Sequence, residues 1–221
     1  MRETESQYNV KTEDYFSHAR REILPLLPSH APRALEVGCG AGHTLSLFKQ
    51  QGLCDWTCGI EISPTAAAQA SKRLDQVIQG NIEAMELPIE PGSIDLLLCL
   101  DVLEHLVDPW ETLRRLATLL RPNGVLVASI PNVRYYRVLL PLMLGGRWDY
   151  QDSGILDRTH LRFFTRATAI ELVKSAGFSI EQVSATNAHT RNWKYRLLDA
   201  LTLSHARPYF EFQYLIRADR Q

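Results

Sequence analysis

The chain has 221 residues, of which 45% are hydrophobic and 22% charged, and its formal net charge is −1. This length and composition are typical of one large globular domain and exclude a disordered, collagen-like or coiled-coil protein. The polar first residues lack a secretory signal, no apolar run reaches the roughly 18 residues of a membrane span, and four cysteines are too few for a disulfide framework. We therefore expect a cytoplasmic protein.

The charge is distributed unevenly along the chain. Residues 1–110 carry a net charge of −8 and residues 111–221 a net charge of +7, and 19 of the 24 basic residues are arginine. The planar guanidinium group suits phosphate and carboxylate partners. The basic half therefore predicts either a solvated surface or an anionic acceptor docked on it, while the near-zero total argues against a nucleic-acid partner.

Short apolar runs alternate with helical patterns along most of the chain. The patterns predict helices over residues 15–27, 44–51, 64–74, 110–120, 165–176 and 193–203, and strands over residues 33–37, 56–60, 76–78, 94–100, 125–130, 178–183 and 209–216. This alternation indicates an α/β fold with a parallel sheet. Residues 94–100 are continuously apolar, which is typical of a parallel strand buried on both faces.

The pattern loosens for about 30 residues after Pro131, which is longer than a connection in a compact domain. Within it, residues 133–150 carry four aromatic side chains and three arginines around an apolar run at 138–144. The segment predicts a lid that shapes an acceptor pocket, or a patch in peripheral contact with a membrane surface or a lipid-linked acceptor. Buried packing against the C-terminal helix is the structural alternative for its leucines.

A glycine-rich turn, Glu36-Val-Gly38-Cys-Gly40-Ala-Gly42, joins the first predicted strand to the following helix. Glycine lets a backbone turn tightly and approach a ligand closely. The spacing lacks both the lysine of a phosphate loop and the Gly-x-Gly-x-x-Gly of a dinucleotide fingerprint. A carboxylate two residues before the first glycine suits an ammonium or hydroxyl partner better than a pyrophosphate.

Four further segments follow this turn in order. They are Gly-Ile-Glu61-Ile-Ser at 59–63, Gln-Gly-Asn81-Ile-Glu at 79–83, Ile-Asp through Asp101-Val-Leu-Glu-His105 at 94–105, and Arg-Pro-Asn-Gly-Val at 121–125. With the glycine turn, they resemble the motifs of class I S-adenosylmethionine-dependent methyltransferases. The resemblance implies S-adenosylmethionine as cofactor and a Rossmann-like, seven-stranded, mostly parallel sheet with helices on both faces and an antiparallel last strand.

The resemblance also implies the division of the chain and the cofactor-binding residues. One domain would span residues 1–221, with a cofactor-binding core at 33–131, a lid or substrate insert at 132–165, and C-terminal helices and strands at 166–221. The glycines would admit the methionine portion, Glu36 would meet its ammonium group, Glu61 the ribose hydroxyls, and Asn81, where Asp is commoner, the adenine amino group. The implied set is Glu36, Gly38, Cys39, Gly40, Gly42, Glu61, Ile62, Asn81, Ile82, Cys99 and Leu100.

Two sets of residues raise the question of a metal. Asp101-x-x-Glu104-His105 resembles a Glu-x-x-Glu-His segment of ubiquinone-type O-methyltransferases in which these residues ligate a divalent cation. Asp shortens the first arm, and many relatives use no metal here, so we predict none. The Cys54-x-x-x-Cys58 pair lacks a second pair at zinc-site spacing.

The string Leu-Asp-Arg158-Thr-His160-Leu-Arg162-Phe-Phe-Thr at 156–165 resembles a segment of bacterial methyltransferases linked to sugar or cell-surface polysaccharide synthesis. Histidine is the side chain best suited to act as a base near neutral pH, and the two arginines favour its neutral form. We therefore predict His160 as the base, with His105 and Asp101 as the other catalytic candidates. In the structural alternative, the arginines pair with Asp152 or Asp157 and the phenylalanines are core.

The function expected from these features is O-methylation of a small-molecule, sugar or glycan acceptor. A nucleic-acid or protein methyltransferase is the alternative enzyme, although the fourth predicted strand is not followed by the Asn/Asp-Pro-Pro-Tyr signature of base N-methylation. A cofactor-binding regulatory protein without turnover is the alternative from another class. Neither the acceptor nor the oligomeric state follows from the sequence.

Overall fold

A computed structural model describes residues 19–186 and 206–221. Its strands are β1 (Arg33–Val37), β2 (Trp56–Glu61), β3 (Gln76–Gln79), β4 (Ile94–Leu100), β5 (Leu120–Pro131), β6 (Phe178–Thr186) and β7 (Gln213–Arg220). Its α-helices are α1 (His43–Gln50), α2 (Pro64–Ala70), α3 (Pro109–Ala117), α4 (Tyr136–Gly145) and α5 (Arg166–Ser175). Short 3₁₀-helices occupy Arg21–Leu26, Leu103–His105 and Arg207–Tyr209.

The seven strands form one sheet in the order β3-β2-β1-β4-β5-β7-β6. β7 pairs antiparallel with both β5 and β6, and the other pairs are parallel. The predicted mostly parallel sheet with an antiparallel last strand is therefore confirmed. The winding of the chain reverses between β1 and β4, and open α/β sheets bind ligands at such a switch point.

Burial on both faces of the sheet follows from the alternation of side chains along β4. Leu97 and Cys99 belong to the core on one face, and Leu96, Leu98 and Leu100 belong to the core on the other. Successive strand residues point to opposite faces, so an unbroken apolar run is needed where both faces are covered. Helices α3 and α5 contribute to the first core and α1 to the second.

The ends of several helices follow from local capping. α2 and α3 each begin at a proline, and the side chains of Ser63 and Asp108 accept hydrogen bonds from the first turns. The Thr165 hydroxyl caps α5 in a reciprocal capping box with Thr168. α3 ends at Ala117 rather than at residue 120 because Leu120 already pairs with Ile94 at the start of β5.

The predicted secondary structure differs most from the observed elements near the C-terminus and in the insert at 132–165. The strand expected at 209–216 is displaced to Gln213–Arg220, because residues around Pro208 form a short 3₁₀-helix. The loose segment contains α4, which the sequence did not predict because apolar residues at nearly every position hide a helical period. The start of the helix expected at 15–27, the helix expected at 193–203, and His189 lie outside the described residues.

A third, smaller core fixes the insert. Tyr135 and Val138, from the start of α4, pack against Ile155 and Leu156. Among the described residues, no helix has the length and apolarity needed to cross a membrane.

Candidate active site

A cavity of about 350 Å³ opens at the carboxyl ends of β1, β2 and β4. Of the predicted cofactor residues it is lined by Glu36, Gly38, Cys39, Gly40, Glu61, Ile62, Asn81, Ile82 and Leu100, and of the predicted catalytic residues by Asp101 and His105. Parallel strands bring these positions together because their carboxyl ends meet at one edge of the sheet. Predicted residues that lie between Glu36 and His105 in the sequence thus meet at one site.

The glycine turn lies close against its neighbours at Gly38. Gly38 has a φ of +68°, and a Cβ there would lie 2.6 Å from Cγ2 of Val102. Its N–H donates to the carbonyl of Ile60, 2.8 Å away, and this hydrogen bond fixes the turn against the end of β2. A side chain at Gly38 would be strained and would clash beside the cavity, so glycine is required there for structural reasons.

Two predicted cofactor residues do not line the cavity. Gly42 is the N-cap of α1 with a φ of +80°, and a Cβ there would come within 3.0–3.3 Å of Leu74 and Ala70. Gly42 is therefore needed for close packing of helix against helix. Cys99 is fully buried and points from β4 into the core. The structure thus places both of these residues behind the cavity wall.

Glu61 is the last residue of β2 and is buried. Its Oε2 accepts a hydrogen bond from the Gly40 N–H at 2.8 Å, and its Oε1 accepts one from the Ser63 N–H at 2.8 Å. Burial nevertheless raises the pKa of Glu61. The carboxylate holds the turns after β1 and β2 in place and retains further lone pairs for a ligand hydroxyl.

Glu36 is the buried acid that precedes the glycine turn. Its Oε2 has no hydrogen-bond partner among the described residues. Burial raises the pKa of Glu36 to about 8, with Glu61 raising it further and Arg20 opposing the shift. An unpartnered carboxylate oxygen on a cavity wall is costly unless a ligand satisfies it, and a cationic group such as an ammonium does so.

Asp101 follows β4 and has a φ of +56°. Its carboxylate accepts hydrogen bonds from the Arg20 guanidinium, from the Gln213 amide and, at 3.0 Å, from the Ser129 hydroxyl. Three donors thus occupy the oxygens of Asp101, which leaves fewer lone pairs for a ligand. Arg20, which also lines the cavity, was missed by the sequence analysis because no motif surrounds it and its partners are distant in sequence.

His105 is buried and lines the cavity. Its Nδ1 lies 3.1 Å from the carbonyl oxygen of Thr159. A carbonyl can only accept, so this contact puts the proton of a neutral ring on Nδ1 and the lone pair on Nε2. The tautomer is that of a side chain able to take a proton at Nε2.

His160 lies behind His105 and not on the cavity wall. The residue is only 7% exposed, and its ring meets the His105 ring edge-on with centroids 4.6 Å apart and places Nδ1 2.9 Å from the Ile155 carbonyl. Of the three predicted catalytic residues, Asp101 and His105 therefore line the cavity, and His160 is packed behind them. Sequence spacing could not decide which of the two rings faces the cavity.

The arginines on either side of His160 contact other groups. The Nε of Arg158 lies 3.3 Å from Asp152, and Arg162 donates to the Val107 carbonyl and stacks over Trp110. Phe164 belongs to the main core. The structural alternative for this string therefore holds at Arg158 and Phe164, whereas Arg162 contacts the Val107 carbonyl in place of the expected aspartate.

Glu104 is 1% exposed, and neither of its carboxylate oxygens has a hydrogen-bond partner in the part of the chain that the structure describes. Burial and then the Asp101 charge raise its pKa well above the usual range. Donor atoms of Glu104, His105 and His160 lie within 4.8 Å of one another, an arrangement able to hold a cation. His160 thus replaces Asp101 of the predicted segment, because Arg20 holds Asp101 elsewhere.

The four cysteines are all buried, and none is in a disulfide. Burial raises the pKa of the Cys58 and Cys99 thiols to about 12. These thiols stay protonated near neutral pH and pack as small apolar side chains.

Comparison with known proteins gives consistent matches. A family model described as a methyltransferase domain matches residues 10–183. The chain is 30% identical over 173 residues to a ubiquinone biosynthesis O-methyltransferase of Albidiferax ferrireducens, covering 70% of this chain and 66% of that relative. It is 26% identical over 162 residues to the protein of the same name from Aeromonas salmonicida, again over 70% and 66% of the two chains. The match spans about two thirds of the length of these relatives.

Solved structures match over more of the chain. A SAM-dependent methyltransferase from Archaeoglobus fulgidus superposes with a TM-score of 0.64 at 20% identity, covering 98% of this chain and 97% of that one. An S-adenosylmethionine-dependent methyltransferase from Mesorhizobium loti gives a TM-score of 0.62 at 18% identity, covering 90% and 96%. At these identities the matches establish the fold.

Proposed function

This chain belongs to the class I S-adenosylmethionine-dependent methyltransferase family, and we propose that it methylates a hydroxyl oxygen of a small-molecule acceptor with His105 as the general base. The observation that carries the proposal is the Nδ1 contact of His105 with the Thr159 carbonyl, which presents the other ring nitrogen as an acceptor. The relatives named O-methyltransferases support oxygen as the methylated atom.

The residues of the cavity suit S-adenosylmethionine group by group. The unpartnered Oε2 of Glu36 supplies an acceptor for the ammonium group, and the turn at Gly38 and Gly40 leaves room for the methionine portion. Glu61, with both oxygens fixed by backbone N–H groups, accepts from the ribose hydroxyls. Bound there, the cofactor supplies a methyl group already activated on sulfonium.

The adenine end is formed by the segment after β3. The Asn81 carbonyl oxygen already accepts a hydrogen bond from the Glu83 N–H at 2.9 Å, so its second lone pair is the one left for the adenine amino group. Ile82 is buried on the cavity wall and provides an apolar surface for the ring. The replacement of the commoner Asp by Asn removes a charge from this contact and keeps the acceptor.

The protein's part in the reaction is to align the acceptor and to remove its proton. Holding two reactants in line accounts for much of the acceleration of such a transfer. The Nε2 of His105 takes the proton of the acceptor hydroxyl, while Asp101 is held in its contact with Arg20. Val107 and Leu161 are exposed where they line the cavity and Leu106 is a buried part of its lining, so these apolar side chains suit an acceptor with an apolar or aromatic body.

Methyl transfer from labelled S-adenosylmethionine to two matched panels tests the proposal. One panel contains phenols, catechols and sugars, and the other contains the corresponding amines. We expect label on oxygen and a preference for aromatic over sugar hydroxyls. Label on nitrogen, or cofactor binding by calorimetry without transfer to either panel, would contradict the proposal.

A further inference from the structure

The C-terminal half of α4 is an exposed apolar tip. Residues 140–146, Leu-Pro-Leu-Met-Leu-Gly-Gly, are all exposed and none carries a polar side chain. Met143 and Leu144 are 68% and 83% exposed. Large exposed apolar patches on a soluble domain mark sites of interaction. The tip is therefore a candidate interaction surface outside the cofactor cavity.

The shape of the tip favours insertion into a lipid bilayer over docking against a single protein partner. The start of α4 is fixed, because Tyr135 and Val138 are buried against Ile155 and Leu156. Beyond Leu140 the exposed residues are consecutive rather than spaced along one helix face. A docked helix or groove covers one face, whereas the apolar layer of a lipid bilayer surrounds an inserted element on every side.

The charges around the tip favour an anionic surface. Residues 133–148 contain three arginines, Arg134, Arg137 and Arg147, and no acidic residue. Arg137 and Arg147 are exposed, and the first acid beyond them, Asp149, pairs with Arg147 at 2.6 Å. Arginines that flank apolar side chains are the arrangement of interfacial segments that bind anionic lipid headgroups.

We propose that the α4 tip docks the enzyme reversibly on bilayers with anionic headgroups, with Leu142, Met143 and Leu144 in the acyl boundary and Arg137 and Arg147 at the headgroups. The docking element is connected to the histidines of the site through Ile155. Val138 of α4 packs with Ile155, whose carbonyl contacts the His160 ring behind His105.

Cosedimentation with vesicles tests this docking. The full chain is mixed with vesicles of phosphatidylcholine alone, or of phosphatidylcholine and phosphatidylglycerol in a three-to-one ratio. We expect binding to the anionic vesicles and at least about tenfold weaker binding to the neutral ones. The double variant Met143→Gln/Leu144→Gln should bind the anionic vesicles about tenfold more weakly, with unchanged cofactor affinity as evidence of folding.

Charge variants test the electrostatic contribution to vesicle binding separately from the apolar contribution. Arg137→Glu/Arg147→Glu should abolish the preference for anionic vesicles, whereas Arg114→Glu, an exposed position on α3, should leave it unchanged. Wild-type protein that stays in the supernatant, or equal binding by Met143→Gln/Leu144→Gln, would overturn the proposal. So would a dimer by light scattering that this variant converts to a monomer, because a second copy would then cover the tip.

Discussion

The ring of His160 packs edge-on against the ring of His105, with centroids 4.6 Å apart and an interplanar angle of 75°. Only His105 of the two lines the cavity. The backbone carbonyl of Thr159 contacts Nδ1 of His105 and that of Ile155 contacts Nδ1 of His160, so backbone groups of the insert orient both rings. The two histidines therefore differ in their access to the cavity, and replacing each in turn separates their contributions.

Replacement of His105 should remove the base. We expect His105→Ala to lower kcat by about a hundredfold or more with nearly unchanged cofactor affinity, because general-base contributions are of that size. Initial rates at saturating cofactor, with calorimetry for S-adenosylmethionine, measure both effects. His30→Ala, at an exposed histidine, is the matched control and should leave both quantities unchanged.

Replacement of His160 should act through His105. The Ile155 carbonyl loses its partner in His160→Ala, so we expect about 1–3 kcal/mol less unfolding free energy in urea, together with a smaller fall in kcat than in His105→Ala. A loss of kcat equal to that of His105→Ala, without loss of stability, would restore His160 as the base.

Glu36 should make the stability of the ligand-free protein depend on pH. Its pKa is raised to about 8 in the folded state, so the folded chain binds more protons than the unfolded chain between about pH 4.5 and pH 8. Unfolding free energy therefore falls as pH rises through this window, by an amount on the order of a few kcal/mol. Urea denaturation at pH 5, 6.5 and 8 should show a shallower fall for Glu36→Gln.

The exposed Glu90→Gln serves as the control for this series and should follow the wild type. Parallel curves for wild type and Glu36→Gln would contradict the assignment. Because an ammonium group favours the ionised carboxylate, cofactor binding to the wild type at pH 7 should release a proton. Calorimetry in buffers of different ionisation enthalpy detects that release, which Glu36→Gln should lose.

Glu61 should contribute strongly to cofactor affinity. We expect Glu61→Ala to weaken S-adenosylmethionine binding by about tenfold or more, since a hydrogen bond to a charged group contributes about 1.5–3 kcal/mol. The substitution also frees the N–H groups of Gly40 and Ser63, so Glu61→Gln, which keeps one acceptor oxygen, should lose less. Unchanged affinity in both variants by calorimetry would rule out the ribose contact.

Chelation tests the cluster of Glu104, His105 and His160. We predict that EDTA leaves the thermal midpoint, cofactor affinity and turnover of the protein unchanged. Burial raises the pKa of Glu104, and a carboxyl must lose its proton to bind a metal, so metal binding at this cluster carries an added cost. A fall in turnover that Mg²⁺ or Zn²⁺ restores would instead assign these three side chains as metal ligands.

The cofactor end of the site followed closely from the sequence. Glu36, Gly38, Gly40 and Glu61 lie beside the cavity where the motif order put them. Their positions are set by strand ends, and strand ends can be recognised from apolar runs and glycine turns. Gly42 and Cys99, by contrast, do not line the cavity. A glycine in a tight turn and a small residue in a buried strand can each be required for packing alone, and the sequence does not distinguish this from ligand contact.

The acceptor end of the site could not be predicted from the sequence in the same way. Arg20 and Asp101 are 81 residues apart in the sequence, so no local pattern predicts their ion pair. The apolar residues of α4 have no clear helical period, so the sequence does not predict that helix either. Whether His105 or His160 faces the cavity depends on how the insert packs across the end of β4. Gln213 from β7 joins the same network only because an antiparallel strand returns beside β5.

The sequence by itself determined the fold class and the cofactor turn, because burial on both faces of a parallel sheet and backbone conformations open only to glycine restrict the residues at each position. Only the tertiary structure decided which side chains meet at the carboxyl edge of the sheet. Contacts between distant segments orient a ring or satisfy a carboxylate, and residue spacing along the chain carries no information about that orientation. Which of His105 and His160, two rings packed edge-on, lines the cavity depends on such contacts alone.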